Sequence, residues 1–431
     1  MKIYRGTVLD TPDSPFTGAV LRADSDAGIA VADGVITDRG PFPRIHATYP
    51  DAEVVELTGG VVLPGLVDTH VHFPQVRVIG ALGMPLLDWL DRCALPEEAR
   101  MADDAYARAV AGEFINGLIS AGTTTALVFG AHFPSAVDCL FEQAALSGLR
   151  ISSGLVVSDR LLRDELLTTP DQAYADGLAL AGRWHHKDRL RYAVTPRFSL
   201  SASAPMLESC AALLRDLETG PDGALFTTHV NENTAEVETV RGLFSECRSY
   251  VDTYGRYGLL GRRSVLAHNV HPADDELRQL ASADASVAHC PSSNSALGSG
   301  LFPMRRHVEH GVRVALGTDV GAGTSFSLFR EGLQSYFMQA LLGADGLPLT
   351  AAHLLYLATA AGADALESAA EIGDLSVGKQ FDAIWVRPQP GSTLDVVLEH
   401  AADADDALAK VFALAGVSDV RGVWVGGDRL R

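Results

Sequence analysis

Positive charge is scarce in this 431-residue chain, and lysine scarcer still. Lysines and arginines number 34 against 54 acids, for a net charge of −20, and the pI is near 5.0. A field of that sign repels polyanions, so neither nucleic acid nor an anionic membrane is an expected partner; a small neutral or cationic substrate is easier to accept. No run of about 18 apolar residues occurs, which excludes a membrane-spanning helix. Residues 1–6 hold no apolar segment of signal length, so the expected location is the cytoplasm. The five cysteines are scattered, with no Cys-x-x-Cys pair to clamp zinc. That excludes the small zinc-dependent fold built on His-x-Glu and Pro-Cys-x-x-Cys, and leaves reduced, mostly buried thiols as the expected state.

What is present starts with Pro64-Gly65-Leu66-Val67-Asp68-Thr69-His70-Val71-His72, an apolar run ending in two histidines. If residues 61–72 form one strand, alternation sends His70 and His72 to the same face, where both rings can hold one cation. Further on, His229, His268 and Asp319 each close a short apolar, β-branched or aromatic run. Those are the positions ligands would occupy at the carboxyl ends of parallel strands around one barrel.

The periodicity supports that architecture. Over roughly 64–365, helical and strand patterns alternate, as in βα units. Residues 103–120 read as an amphipathic helix before the strand 122–128. Residues 190–195 read as a strand before a helix at 204–217, and further strands are expected at 224–229, 264–268, 285–289 and 312–319. Short strands at residues 7–9, 19–21, 28–31, 35–36 and 53–57, with Asp33-Gly34 as a hairpin signal, are matched by similar patterns near 373–386 and 420–427. The expected fold is α/β: a (β/α)8 TIM barrel over 63–366, with a small β-sandwich built from 1–62 and 367–431. Residues 401–409 read as an exposed helix or turn.

Three imidazoles and a carboxylate from His70, His72, His229 and Asp319 suit Zn²⁺, with Fe²⁺ as a substitute, and water bound there loses a proton near neutral pH. A second metal usually needs a bridging anion such as a modified lysine. The lysines are Lys2, Lys187, Lys379 and Lys410, none of which ends a candidate barrel strand, so one metal per subunit is expected. Glu232, three residues beyond His229, has the position of a general acid/base; the alternative is a first-turn glutamate serving the helix that follows. Asp319 can touch the metal and accept a proton from its water, while His268 can orient that water. His289 reads as a structural histidine or one behind the ligands. His132, His185, His186, His271, His307, His310, His353 and His400 read as surface or loop residues.

Taken together, the run ending at His72 with Gln75 after it, Thr195-Pro196-Arg197-Phe198-Ser199-Leu200, His229-Val230-Asn231-Glu232-Asn233, Ala288-His289-Cys290-Pro291-Ser292-Ser293-Asn294 and Leu316-Gly317-Thr318-Asp319-Val320 resemble the amidohydrolase superfamily, and within it the guanine deaminases. The resemblance spans about residues 60–385. It implies His70, His72, His229 and Asp319 as ligands of one metal, with Glu232, His268 and Asp319 as the catalytic groups. It further implies that Gln75 and Arg197 hydrogen-bond a purine and Phe198 packs on its face, and that the protein is a homodimer. The implied reaction is hydrolysis of guanine to xanthine and ammonia, with another purine, a pterin, cytosine or a triazine as the alternative substrate. An arginine offers planar paired donors that suit a ring carbonyl, whereas a glutamine offers both a donor and an acceptor.

Overall fold

The apolar stretch before the two histidines is two strands rather than one. The computed structural model describes residues 1–217 and 223–431. In it β4 (Glu53–Pro64) ends where β5 (Leu66–His72) begins, and the two belong to different sheets. Gly65 is the break. Its N–H donates to the Asp382 carbonyl at 2.9 Å, and a Cβ there would stand 2.2 Å from Thr124 Oγ1, so only glycine lets the strands pass this closely.

On one side of that break lies a seven-stranded sheet made from both ends of the chain. It holds β1 (Lys2–Asp10), β2 (Arg22–Ala32), β3 (Val35–Pro41) and β4, and it takes three further strands from residues 383–429. The β2–β3 turn is Asp33-Gly34, with φ of 50° and 80°, as its sequence signals. Residues 19–21, expected as strand, precede β2, and Val20 is 80% exposed. β1 runs parallel to β4 and antiparallel to β2, and Tyr4 stacks on Phe381 at 4.1 Å with Trp424 edge-on at 5.7 Å, which locks the N-terminal strand to the C-terminal ones.

On the other side, β5 opens a parallel barrel that continues through β6 (Thr123–Phe129), β7 (Arg150–Gly154, with β8 at Val156–Val157 beside the next strand), β9 (Leu190–Pro196), β10 (Leu225–Val230), β11 (Ser264–His268), β12 (Ser286–His289) and β13 (Arg313–Leu316). Closure between β13 and β5 rests on the residues just past β13. Asp319 N–H donates to the His70 carbonyl at 2.8 Å, and Thr69 Oγ1 donates to the Leu316 carbonyl at 2.8 Å. Gly317 permits this, since a Cβ there would press on His70 at 2.8 Å. The α/β barrel with a separate terminal sheet is therefore present as expected from the sequence.

The remaining sheet strands are β14 (Ala383–Val386), antiparallel to β4, then β15 (Val420–Val425) and β16 (Asp428–Arg429). Between β14 and β15 the chain leaves the sheet for the barrel wall. The Ala404–Leu414 helix, capped by the Asp403 side chain, buries Leu408, Val411 and Phe412. Phe412 meets Phe329 of the Leu328–Leu341 helix edge-on at 5.3 Å. The expected helix or turn at 401–409 is present and exposed or half-buried except at Leu408, and the stripe that packs on the barrel continues past it at Val411 and Phe412.

Candidate active site

The ends of β5, β10 and β11 and the segment just past β13 deliver their residues to one end of the barrel. His70 and His72 project from β5 on the same face, as strand alternation requires. Their Nε2 atoms are 3.2 Å apart, and His72 Nε2 is also 3.2 Å from His229 Nε2 at the end of β10. Asp319 Oδ1 lies 3.3 Å from His70 Nε2 and 3.2 Å from His72 Nε2. His268 joins His70 and His229 in a second buried set whose donor atoms lie within 4.8 Å of one another.

Such crowding suits a shared cation. Ligands at 2.0–2.1 Å around a tetrahedral zinc lie about 3.3 Å from each other, the spacing that the His70–His72, His72–His229, His70–Asp319 and His72–Asp319 pairs already have. The proton states agree. His229 Nδ1 donates to the Arg197 carbonyl at 2.7 Å, which leaves Nε2 bare. Burial, with the neighbouring His70 and His72, holds His229 well below its usual pKa, and burial lowers His70 to about 4. For Asp319, burial works to raise the carboxyl, but the His70 and His72 contacts outweigh it and hold the group well below the usual range. Neutral imidazoles beside a carboxylate are the forms that bind a divalent ion.

Behind them, Asp68 accepts from Thr318 N–H at 3.0 Å and from His70 N–H at 3.2 Å, tying the first strand to the last. Several residues take left-handed backbone to aim their side chains: Asn231 (φ 48°), His268 (φ 73°), Asn269 (φ 46°) and Asp319 (φ 48°). Left-handed φ at non-glycine residues collects where the surroundings over-determine it, commonly at functional sites.

Glu232 is 3% exposed and faces this cluster, its Oε2 3.5 Å from His268 Nε2 and its Oε1 3.5 Å from Ser299 Oγ. Burial, followed by the Asp319 charge, pushes its carboxyl well above the usual carboxylate pKa, so it holds a proton readily. The alternative role, first-turn glutamate of the following helix, is taken by another residue. Asn233 caps the Thr234–Leu243 helix and Glu236 closes the capping box, accepting from Asn233 N–H at 3.2 Å and from Glu232 N–H at 3.1 Å. His268 donates Nδ1–H to Asn294 Oδ1 at 3.0 Å, which turns its bare Nε2 toward Glu232 and toward Asp319 Oδ2 at 3.8 Å.

A pocket opens on these groups. Gln75, Arg197 and Phe198 line it beside His72, His229, Glu232, His268 and Asp319, so the residues singled out for substrate binding and those singled out for chemistry meet. Leu86, Trp89 and Leu90 add an apolar wall that the sequence reading did not single out. Also unforeseen is Glu98, 2% exposed, which accepts from Arg197 Nη1 at 2.5 Å and from Gln75 Nε2 at 2.7 Å. The signal for it was indirect: a buried arginine requires an acceptor.

Two histidines expected as surface or loop residues are interior. The His132 side chain is 2% exposed with Nε2 3.3 Å from Glu98 Oε2, and His307 is fully buried, accepting from Asn269 Nδ2 at 2.9 Å and donating Nδ1–H to the Pro303 carbonyl at 2.9 Å. His132 follows the end of β6 in a short bend, and His307 lies on the buried face of the Met304–Glu309 helix, so neither position meant exposure. His289 stacks on Phe302 at 4.3 Å and does not line the pocket.

A parallel barrel with histidine and aspartate donors gathered at its strand ends is the signature of a metal-dependent hydrolase. The profile of the amidohydrolase family matches residues 61–430, and the chain belongs to that family. Its relatives narrow this further. A probable guanine deaminase from Deinococcus radiodurans is 61% identical over 99% of this chain and 98% of its own length. Among solved structures, E. coli guanine deaminase superposes with a TM-score of 0.94 at 34% identity, covering 100% of this chain and 99% of that one. The C. acetobutylicum guanine deaminase with guanine bound in its active site gives 0.91 at 25% identity, covering 99% of each chain.

Proposed function

We propose that this protein is a guanine deaminase, converting guanine and water to xanthine and ammonia. The observation that carries this reading is the meeting, in one pocket, of the Arg197–Gln75 pair and Phe198 with Glu232, whose burial beside Asp319 raises its pKa, set against the His70, His72, His229 and Asp319 cluster.

His70, His72, His229 and Asp319 hold one divalent ion per subunit, Zn²⁺ by donor type, with Fe²⁺ compatible with the same set. A divalent ion held there would lower the pKa of a water and so provide the nucleophile near neutral pH. Arg197 directs guanidinium N–H groups at the purine carbonyl, Gln75 hydrogen-bonds the ring edge, and Phe198 packs on its face. Glu232 takes up the proton released by the attacking water, passes it to the ring nitrogen beside the amino-bearing carbon, and then relays the hydroxyl proton of the resulting adduct to the amine, so that the C–N bond breaks with loss of ammonia as the new ring carbonyl forms. His268 and Asp319 flank that transfer: the bare Nε2 of His268 and Oδ2 of Asp319 orient the nucleophile and accept its hydrogen bond. Leu86, Trp89 and Leu90 keep bulk water from the reacting face.

In this reading 63–366 is the catalytic barrel, while 1–62 and 367–431 form the supporting domain. Exposed Tyr336, Phe337 and Leu341 on one helix support self-association as a homodimer. A cytoplasmic place in purine catabolism agrees with the acidic surface, and among the described residues no helix is long and apolar enough to cross a membrane. The test is ammonia release by the purified, zinc-loaded protein across guanine, adenine, cytosine, 8-oxoguanine and pterins. Guanine is expected to lead by a wide margin; release from another base with none from guanine overturns the assignment.

A further inference from the structure

Arg197 and Gln75 do not reach the pocket independently, because both are held by one buried carboxylate. Glu98 lies in the Leu95–Ala99 helix, behind the pocket rather than in its lining. Its Oε1 accepts from Gln75 Nε2 at 2.7 Å and its Oε2 from Arg197 Nη1 at 2.5 Å, with His132 Nε2 3.3 Å from the same Oε2. An ionised carboxylate can only accept. The amide nitrogen of Gln75 must therefore face Glu98 and its carbonyl must face away. That carbonyl oxygen, next to Gly321, has no partner among the described residues. Arg197 has Nη1 committed to Glu98, which leaves its other N–H groups for a ligand.

We propose that Glu98 is a positioning residue that fixes the hydrogen-bonding polarity of the Arg197–Gln75 pair, so that donors stand beside an acceptor and the pocket takes a lactam edge, C=O next to ring N–H. The competing amidine edge, an amino group next to a bare ring nitrogen, meets donors against donors. The inference rests on the guanine reading, since guanine carries a lactam edge, and deepens it by assigning the discrimination to a residue that touches no substrate. Replacing Glu98 by glutamine puts an amide opposite an amide. The Glu98 side then accepts either orientation of Gln75, and only the weaker contact of Gln75 Nε2 with His72 Nδ1 at 3.3 Å is left to bias the polarity.

Hypoxanthine and adenine differ in this edge and lack the amino group at the reacting carbon, so their binding reads polarity without turnover. Titration calorimetry on the zinc-loaded enzyme should show hypoxanthine preferred by at least about tenfold, and Glu98→Gln should narrow the preference to within about threefold. In steady state Glu98→Gln should raise KM for guanine about tenfold or more while kcat moves less than about threefold. Glu98→Asp keeps an acceptor-only group drawn back by one methylene; it should retain an intermediate preference, and it serves as the measured variant if Glu98→Gln does not fold. A wild-type protein without hypoxanthine preference, or variants that lower kcat while the preference stands, overturns the proposal. An intact preference with no ammonia from guanine defeats the proposed function alone.

Discussion

His229 Nδ1 donates to the backbone carbonyl of Arg197 at 2.7 Å, so a residue that lines the substrate pocket with its side chain also orients a metal-site imidazole with its main chain. β9 and β10 run parallel, and Arg197 follows directly on the end of β9. The barrel thus places the purine-binding guanidinium and the His229 ring in fixed relation through one residue, independent of loop conformation.

That division makes Arg197→Ala informative. The alanine keeps the carbonyl, so His229 keeps its tautomer and bound zinc should stay near one equivalent. The missing guanidinium removes charged hydrogen bonds, for a loss of about 10- to 100-fold in kcat/KM for guanine. Glu98 would lose its guanidinium partner and keep only Gln75 and the His132 ring beside it, which should cost about 1.5–3 kcal/mol of stability and be visible as a lower Tm. Metal analysis beside steady-state kinetics checks this; loss of the metal would mean that the side chain also supports the ligand cluster.

Acid should destabilise the protein through His307. It satisfies both neighbours only as the neutral ring, donating from Nδ1 to Pro303 and accepting at Nε2 from Asn269. Burial lowers its pKa to about 3 from an unfolded value of 6.5. Between those values the unfolded chain binds the extra proton and the folded chain does not, so stability falls as pH drops from 6.5 toward 3, by up to about 1.4 kcal/mol per pH unit from this one group. Urea midpoints measured across pH 4–7 should fall with acidity, and His307→Gln, which cannot protonate, should flatten the slope. An unchanged slope would assign the acid response to other groups.

The Ala404–Leu414 helix should be needed for stability and not for chemistry. Phe412→Ala removes the ring that meets Phe329 and fills the space beside Gly332, where a Cβ would stand 2.6 Å from it. A cost of about 3–5 kcal/mol is expected, with kcat/KM for guanine unchanged below the lowered Tm. A kinetic defect in folded protein would link this helix to the active site.

How much of this was legible in the sequence follows from the range of each interaction. His70 and His72 could be placed on one face because strand alternation is local, and His229, His268 and Asp319 because each closes a recognisable strand. The Gly65 break escaped because its cause, the close approach of Thr124 and Asp382, lies far along the chain. β7 escaped because Ile151-Ser152-Ser153-Gly154 carries small polar residues where barrel strands pass tightly: a Cβ at Gly154 would meet the Ala193 carbonyl at 1.9 Å. Glu98 could be foreseen only as an unnamed acceptor demanded by Arg197, since 99 residues separate the two.

Glu232→Gln separates chemistry from architecture most cleanly. Glu236 closes the cap of the Thr234–Leu243 helix, so the substitution at 232 leaves that helix intact, and the side chain is not among the four groups crowded around the metal position. Zinc content and Tm should therefore stay at the wild-type level. Without a carboxyl to move protons between water, ring nitrogen and leaving amine, ammonia release should fall by about 10²–10⁴-fold. The control is Glu236→Gln, which disturbs the cap and a buried contact with Tyr250; it should lower stability by about 1 kcal/mol or more and reduce kcat far less. Turnover within tenfold of wild type in the Glu232 variant would remove the residue from the proton path and leave Asp319 and His268 to carry it.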